Sequence, residues 1–324
     1  VMVELSSPPS LRVLYPKAVL TGFRRKGGEL PDTVYTLSGV RTDPAHLAAY
    51  NRVCGFRLSD ELPSTYPHLL TFPLQIKLMA GDDFPFPLVG SVHVANRITQ
   101  TRPLRVGESY DLRVHLENLR DHPRGRQFDV VGEALVDGEV VWTDVSTYLR
   151  RGGGTGRPER SERTEPPAPT AIWRVPDDIG RRYGDVSGDR NPIHLYKLTA
   201  KMFGFPRAIA HGMWTKARCL AAFEGRLPDA YTVDVAFKLP VLLPAKVAFT
   251  AREDGDGWTF DLFGATVPGV RSASSATVPD VRSASSATVP DVRSASSATV
   301  PDVRSASSAK NGKPHLTGTI SSQR

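Results

Sequence analysis

Asp189 and His194 stand five residues apart in YGDVSGDRNPIHLY (183–196), with a proline between them. Asn191 and Pro192 favour a turn over a continuous helix, so the two side chains would converge where a loop folds back. Ser187-Gly188 gives that loop a flexible start, and Asn191 can hydrogen-bond nearby backbone. A carboxylate and an imidazole brought together can hold one water between them, and either can take or return its proton. The plainer alternative is a turn in which Asp189 caps backbone amides and His194 is half exposed.

Gly212 adds a third group. It opens the apolar stretch HGMWTKARCLAAFEG (211–225), where the first N–H groups of a helix lack partners and the helix dipole is positive. A carbonyl oxygen gaining negative charge can be held there, and glycine permits close approach. The alternative is a glycine that only eases a tight turn. Base, acid and oxyanion donor together describe proton chemistry beside a carbonyl.

Other combinations are weaker. Asp185, Ser187 and His194 have the residue types of a hydrolytic triad but lie close together in sequence. Asp189, His194 and His211 have the types of a metal site, yet no HExxH or paired cysteines accompany them, so no metal is expected. Arg207, Lys216 and Lys238 are candidate contacts for substrate phosphates, while Trp214 and Phe237 read as core.

The elements that must position these groups form two blocks in one order. The first has an extended start near Val34–Leu37, a short helix in DPAHLAAYNRVCGF (43–56) and a longer one in YPHLLTFPLQIKLMA (66–80). Alternating runs follow at 91–98, 109–119, 127–136 and 139–151, the pattern of half-buried antiparallel strands. The second has an extended AIWRVP (171–176), the loop above, a short helix LTAKMFG (198–204) and the helix at 211–224. Strands follow at 232–239, 245–255, 258–264 and 314–320. On the long helix Met213, Ala217, Leu220 and Ala221 share a face that can pack into a sheet, and Gly225 supplies a stop. The expectation is an α+β protein of two related halves, each an antiparallel sheet curled around one helix.

The boundaries follow composition. Residues 1–150 form one unit, 151–170 (RGGGTGRPERSERTEPPAPT) a linker, and 171–324 the second unit. Inside that unit ATVPDVRSASS occurs three times unchanged from Ala276 to Ser308, with a fourth copy at 265–275 that has Gly269 in place of Asp. Proline every eleven residues forbids a continuous helix, and the serines bury little. This low-complexity insertion at 265–308 reads as a loop expansion within the last hairpin, with a partner-binding arm as the alternative.

Composition excludes several classes. The chain is 40% hydrophobic and 23% charged, as a globular protein with a core should be. Two cysteines, Cys54 and Cys219, exclude a disulfide framework and point to a reducing cytoplasm. No apolar run is long enough to span a bilayer, and the N-terminal residues lack the pattern of a secretory signal. The net charge of +7 suits anionic partners; the basic residues are scattered rather than grouped into an arm or stripe, and composition fits nucleic acid and a phosphate-bearing small molecule equally well, so it is the motif that follows, not the charge, that makes nucleic acid unexpected.

The stretch YGDVSGDRNPIHLYKLTAKMFGFPRAIAHGM resembles the hydratase motif of the MaoC-like (R)-specific enoyl-CoA hydratases: SGD-x-NP-[IL]-H, an overhanging helix, then [IV]-[AV]-HGM opening the central helix of a hotdog fold. The similarity continues through GKPHLTGTI, and residues 1–150 resemble the degenerate N-terminal half of double-hotdog members. The resemblance implies reversible hydration of trans-2-enoyl thioesters to (R)-3-hydroxyacyl thioesters in fatty-acid metabolism, with dehydration as the reverse. Asp189 and His194 would activate water and the Gly212 amide would hold the thioester oxygen. Ser187 and Asn191 would support the loop, and His211 would serve a structural hydrogen bond. No cofactor is implied, because the thioester itself acidifies the α-position. The partner would be an acyl-CoA or acyl-carrier-protein thioester, bound by a monomer or homodimer of double hotdogs. The first half lacks the motif and opens its long helix without glycine, so it should not catalyse but widen the acyl pocket. A thioesterase and a non-catalytic acyl-thioester-binding subunit of a synthase are the alternatives.

Overall fold

The computed structural model describes residues 1–15, 28–87, 90–152, 168–265 and 312–323. The middle of the expected linker and nearly all of the eleven-residue repeats lie outside these described residues.

The first half contains β1 (Met2–Glu4), β2 (Val34–Arg41), α1 (Pro44–Cys54), α2 (Pro67–Met79), β3 (Ser91–Gln100), β4 (Ser109–His122), β5 (Gly125–Val136) and β6 (Glu139–Arg151). The second contains β7 (Ala171–Val175), α3 (Ile179–Ser187), α4 (Pro192–Leu195), α5 (Lys197–Met202), α6 (Gly212–Leu220), β8 (Tyr231–Phe237), β9 (Ala245–Asp254), β10 (Gly257–Gly264) and β11 (Pro314–Ser322). All strands join one sheet in the order β1-β2-β4-β5-β6-β3-β8-β11-β10-β9-β7. Every pairing is antiparallel except that of β1 with β2.

That order contains a repeat. Leaving β1 aside, each half lays down its first, third, fourth, fifth and second strands from outer edge to centre. The two second strands, β3 and β8, meet in register from Ala95↔Ala236 to Gln100↔Tyr231. In both halves the helices are inserted between the first and second strands. One hydrophobic core runs through both halves, from Phe72, Leu112 and Phe128 to Phe249, Phe260 and Leu316.

Local chemistry sets the helices. The Asp43 side chain caps α1 by accepting from the Ala45 N–H at 2.9 Å, Pro44 takes the first turn, and Gly55 ends it at φ 86°. Helix α2 is buried on nearly every side, as a helix enclosed by a curved sheet must be, despite Pro73 in its interior. Helix α6 is shorter than the periodicity suggests. It gives way to a 3₁₀ turn at Ala221–Phe223, and Glu224, the last residue of the expected helix, lies beyond that turn and accepts the Arg57 N–H at 3.0 Å.

One further difference concerns the second half: residues 179–187, for which no helix was expected, form α3, which carries two glycines and little apolar content. As expected for the last hairpin, β10 and β11 pair from Gly257↔Ser321 to Phe263↔Pro314, although residues 265–313 separate them in sequence. Among the described residues no helix is long and apolar enough to cross a membrane.

Candidate active site

The site is assembled where α3, α4 and the start of α6 meet. Helix α3 ends at Gly188, whose φ of 73° reverses the chain. Close packing of α3 on the next segment depends on Gly180, where a Cβ would stand 1.9 Å from the His194 carbonyl oxygen. The Ser187 hydroxyl accepts the Asp189 N–H at 3.1 Å. The Asn191 side chain caps α4 by accepting from the Ile193 N–H at 3.4 Å. Thus the Asn-Pro pair starts one short helix, and His194 is carried on it.

Asp189 and His194 do converge. One carboxylate oxygen of Asp189 and one ring nitrogen from each of His194 and His211 lie within 4.8 Å of one another. Asp189 Oδ1 accepts from the Asn191 N–H at 3.2 Å and from the Tyr15 hydroxyl at 2.7 Å. Oδ2 faces His211 Nε2 at 3.7 Å, beyond a hydrogen bond. His194 is buried, and its Nδ1 lies 2.8 Å from the Ile209 carbonyl. A carbonyl only accepts, so Nδ1 carries the proton and Nε2 presents a lone pair.

His211 is the N-cap residue of α6. Its Nε2 lies 2.9 Å from the Asp189 backbone oxygen, and its ring stacks on His194 with centroids 3.7 Å apart. Its Nδ1 is buried without a partner among the described residues. This ring therefore ties the α6 start to the Asp189 loop. Gly212 follows as the first helical residue, and its N–H has no acceptor among the described residues. A Cβ there would stand 3.2 Å from the Phe237 ring.

Electrostatics keep the pair in complementary states. Burial works against the Asp189 charge, yet the facing His211 and His194 rings, the Tyr15 hydroxyl and the Asn191 N–H hold its carboxyl below the usual range. Burial, and then His211, bring His194 down to about 3, against the opposing pull of Asp189 and the Ile209 carbonyl. Burial lowers His211 as well, with Asp189 opposing. At neutral pH the site therefore holds a carboxylate beside neutral imidazoles. One water between Asp189 and Nε2 would find two acceptors for its two protons.

The histidines and Asp189 also provide a metal-type donor set. However, His194 Nδ1 and His211 Nε2 are already engaged with backbone oxygens, and the stacked rings lie only 25° from parallel. Nearly stacked rings present their remaining nitrogens in nearly parallel planes, unlike the convergent ligands of a tetrahedral site.

Lys216 requires a correction. It is wholly buried, and its Nζ donates to the Asn96 carbonyl at 3.1 Å, the Asn96 side-chain oxygen at 2.5 Å and the Val233 carbonyl at 3.2 Å. With all three protons spent inside the core, it has none for a substrate phosphate. Arg207 and Lys238 remain accessible, flanking the Ile209 and Phe237 segments of the site. Trp214 is core as expected, its Nε1 donating to the Val53 carbonyl at 3.0 Å.

Sequence reasoning missed contributions from the first half. His93 of β3 stacks on Tyr148 of β6 at 4.7 Å and meets Phe237 edge-on at 5.1 Å. Tyr148 lies close enough to Asp189 for that charge to add to burial in raising its hydroxyl. Tyr15, from a helical turn at 11–15, was missed as well.

A hotdog-like sheet around buried helices, with a carboxylate, an imidazole and a free helix-terminal amide, defines a class of acyl-thioester hydro-lyases. Residues 155–265 match the family described as MaoC like domain. The chain is 43% identical over 238 residues to 3-hydroxyacyl-thioester dehydratase X of Mycobacterium tuberculosis, spanning 72% of this chain and 85% of that protein. The chain belongs to the MaoC-like dehydratase family. Its structure resembles that of HtdX from Mycobacterium tuberculosis, with a TM-score of 0.69 and 36% identity across 90% of this chain and 100% of that one. A MaoC-like dehydratase from Phytophthora capsici shares the fold at a TM-score of 0.58 and 17% identity, over 76% of this chain and 92% of that one.

Proposed function

We propose that the protein is a hydratase/dehydratase that interconverts trans-2-enoyl and (R)-3-hydroxyacyl thioesters, acting in fatty-acid metabolism. The observation that carries this reading is the meeting of Asp189 and the His194 Nε2 beside the unpartnered Gly212 N–H. The similarity to a named 3-hydroxyacyl-thioester dehydratase supports it.

In hydration, water is held by Asp189 and His194. One O–H proton passes to this pair as the oxygen forms its bond to C3. The C2–C3 π electrons move towards the thioester carbonyl, whose oxygen gains charge against the Gly212 N–H. The proton then returns to C2, so the substrate gains one hydroxyl and one hydrogen, and the enzyme is restored. Dehydration follows the same steps backwards, with a neutral imidazole ready to accept the C2 proton.

The finer architecture is a double hotdog, supported by the strand order repeated in each half. Residues 1–150 would be the non-catalytic half, 151–170 the linker and 171–324 the catalytic half, with the 265–308 repeats inserted between β10 and β11. Tyr148 and His93 support a role for the first half in walling the acyl pocket. Arg207 and Lys238 would meet the phosphates of CoA or of a carrier's pantetheine arm. Ser187, Asn191 and His211 would hold the loop through the hydrogen bonds given above.

The test follows absorbance of the conjugated thioester with crotonyl-CoA and a medium-chain enoyl-CoA, together with thiol release and the chirality of the product. Loss of conjugation, an (R)-3-hydroxyacyl product and no free thiol are expected. Thiol release would make the protein a thioesterase. Binding of acyl-CoA without turnover would make it a non-catalytic subunit.

A further inference from the structure

We infer that Tyr15 is a positioning residue for the Asp189 carboxylate, delivered to the catalytic loop by the N-terminal segment. The inference rests on the active-site reading above and adds a residue that the hydratase motif does not contain.

The segment is anchored at both ends. At the outer edge of the first half, β1 pairs with β2, the Val34 N–H donates to the Val1 carbonyl at 2.8 Å and the Leu5 N–H to the Thr36 carbonyl at 2.8 Å. The chain then crosses to the second half and makes a helical turn, closed by donation from the Val13 and Leu14 N–H groups to the Ser10 carbonyl at 3.1 Å each. Leu11 seats this turn directly on Gly188, where an added Cβ would stand 2.5 Å from its Cδ1. Leu11, Leu14 and Tyr15 all pack against the common core. Tyr15 is thereby brought to Asp189 across 174 residues of sequence.

Its hydroxyl does something the loop alone does not. The Asn191 N–H binds Oδ1 at 3.2 Å, within the same loop and at the long end of the hydrogen-bond range. The Tyr15 O–H binds the same oxygen at 2.7 Å from an independent element. Together they occupy Oδ1 and leave Oδ2 facing the histidines, where a water must be held. Burial, and then the Asp189 charge, keep the phenol protonated, so it acts as a donor only. A short hydrogen bond to an ionised group also favours its charged form. The other titratable groups facing Asp189 are His194 on α4, His211 at the start of α6, Tyr183 on α3 and Tyr148 on β6.

The experiment measures kcat, KM and the pH profile of kcat/KM for Tyr15→Phe, with Asp189→Asn as the reference. The ring is retained, so packing over Gly188 should persist and the melting temperature should change little. The expected result is a loss of about tenfold in kcat with KM nearly unchanged, and an acid limb displaced to higher pH. Leu11→Ala, which loosens the turn without touching Asp189, should lower kcat in the same sense. Wild-type kcat with an unshifted acid limb in Tyr15→Phe overturns the inference, whatever Leu11→Ala does. A fall in melting temperature with unchanged kcat assigns Tyr15 a merely structural role and also overturns it. If Asp189→Asn itself turns over like wild type, the active-site reading has failed instead.

Discussion

Each half of the molecule buries a polar cluster at the start of its long helix, and the two clusters are finished differently. In the first half His68, on α2, binds Asp144 of β6, which also accepts from the Asn96 side chain and from the Ser146 hydroxyl. Asn96 in turn accepts from Lys216, whose three protons are all placed. His68, Asp144, Asn96 and Lys216 are thus bonded to one another and to nearby backbone, with the Nε2 of the adjacent His93 buried and unpartnered among the described residues, and a buried network so interlinked holds structure together. In the second half His194 Nε2, Asp189 Oδ2 and the Gly212 N–H are left without partners among the described residues. Where α6 begins with an open glycine, α2 begins with Pro67, which has no N–H to offer and brings a ring to the same place. The lesson is that a carboxylate oxygen, an imidazole nitrogen and a helix-terminal N–H left open together, rather than the presence of acids and histidines, separate the reactive cluster from the structural one.

That contrast can be broken at several points. The strongest effect short of removing Asp189 is expected at Gly212. Gly212→Ala drives a methyl group against Phe237 and displaces the oxyanion donor, which should lower kcat about 10²- to 10³-fold. A second change, Phe237→Leu, should recover part of the loss by making room. Equal rates in the single and double variants would show that the ring contact is not what disables the site.

In the interlinked cluster the loss should fall on stability instead. Lys216→Met removes an amine that bonds three buried oxygens and that burial brings down to about 7, which should cost about 1–3 kcal/mol by chemical denaturation. Turnover per folded molecule should remain close to wild type. A variant as stable as wild type but inactive would place Lys216 in the chemistry after all.

The smallest effect is a slope against pH. His194 and His93 are both brought from the ordinary 6.5 to about 3, chiefly by burial. Below pH 6.5 the unfolded chain gains protons that the native state refuses. Their contribution to stability is therefore complete above that pH and is lost as pH falls towards 3. The melting temperature should decline through this window, and His93→Gln should flatten the decline. By the same reasoning kcat/KM should show no histidine limb near 6.5. A limb there would mean that His194 is ordinarily solvated.

Much of this was legible in the sequence, for physical reasons that differ by element. Strands such as Glu139–Arg151 were readable to the residue because alternation with half-burial is a two-residue signal. The Asp189–His194 loop was readable because its caps and turn residues are local. Lys216 was misread because lysine ordinarily marks a surface, and nothing nearby in sequence shows that Asn96 waits 120 residues away. Helix α3 was hidden by Gly180 and Gly184, which weaken helical propensity but let it lie against the loop. Tyr15, His93 and Tyr148 reach the site only through tertiary structure, so no local spacing could announce them.

The most direct test compares Asp189→Asn with Asp144→Asn, two near-isosteric changes at a half-buried and a fully buried carboxylate in the two clusters. Enoyl-thioester hydration would be measured per folded molecule. Asp189→Asn should lose about 10²- to 10⁴-fold while retaining the fold, and Asp144→Asn should lose stability while retaining most of its turnover. Equal losses of turnover, or an active Asp189→Asn, would contradict the division into one reactive and one structural half.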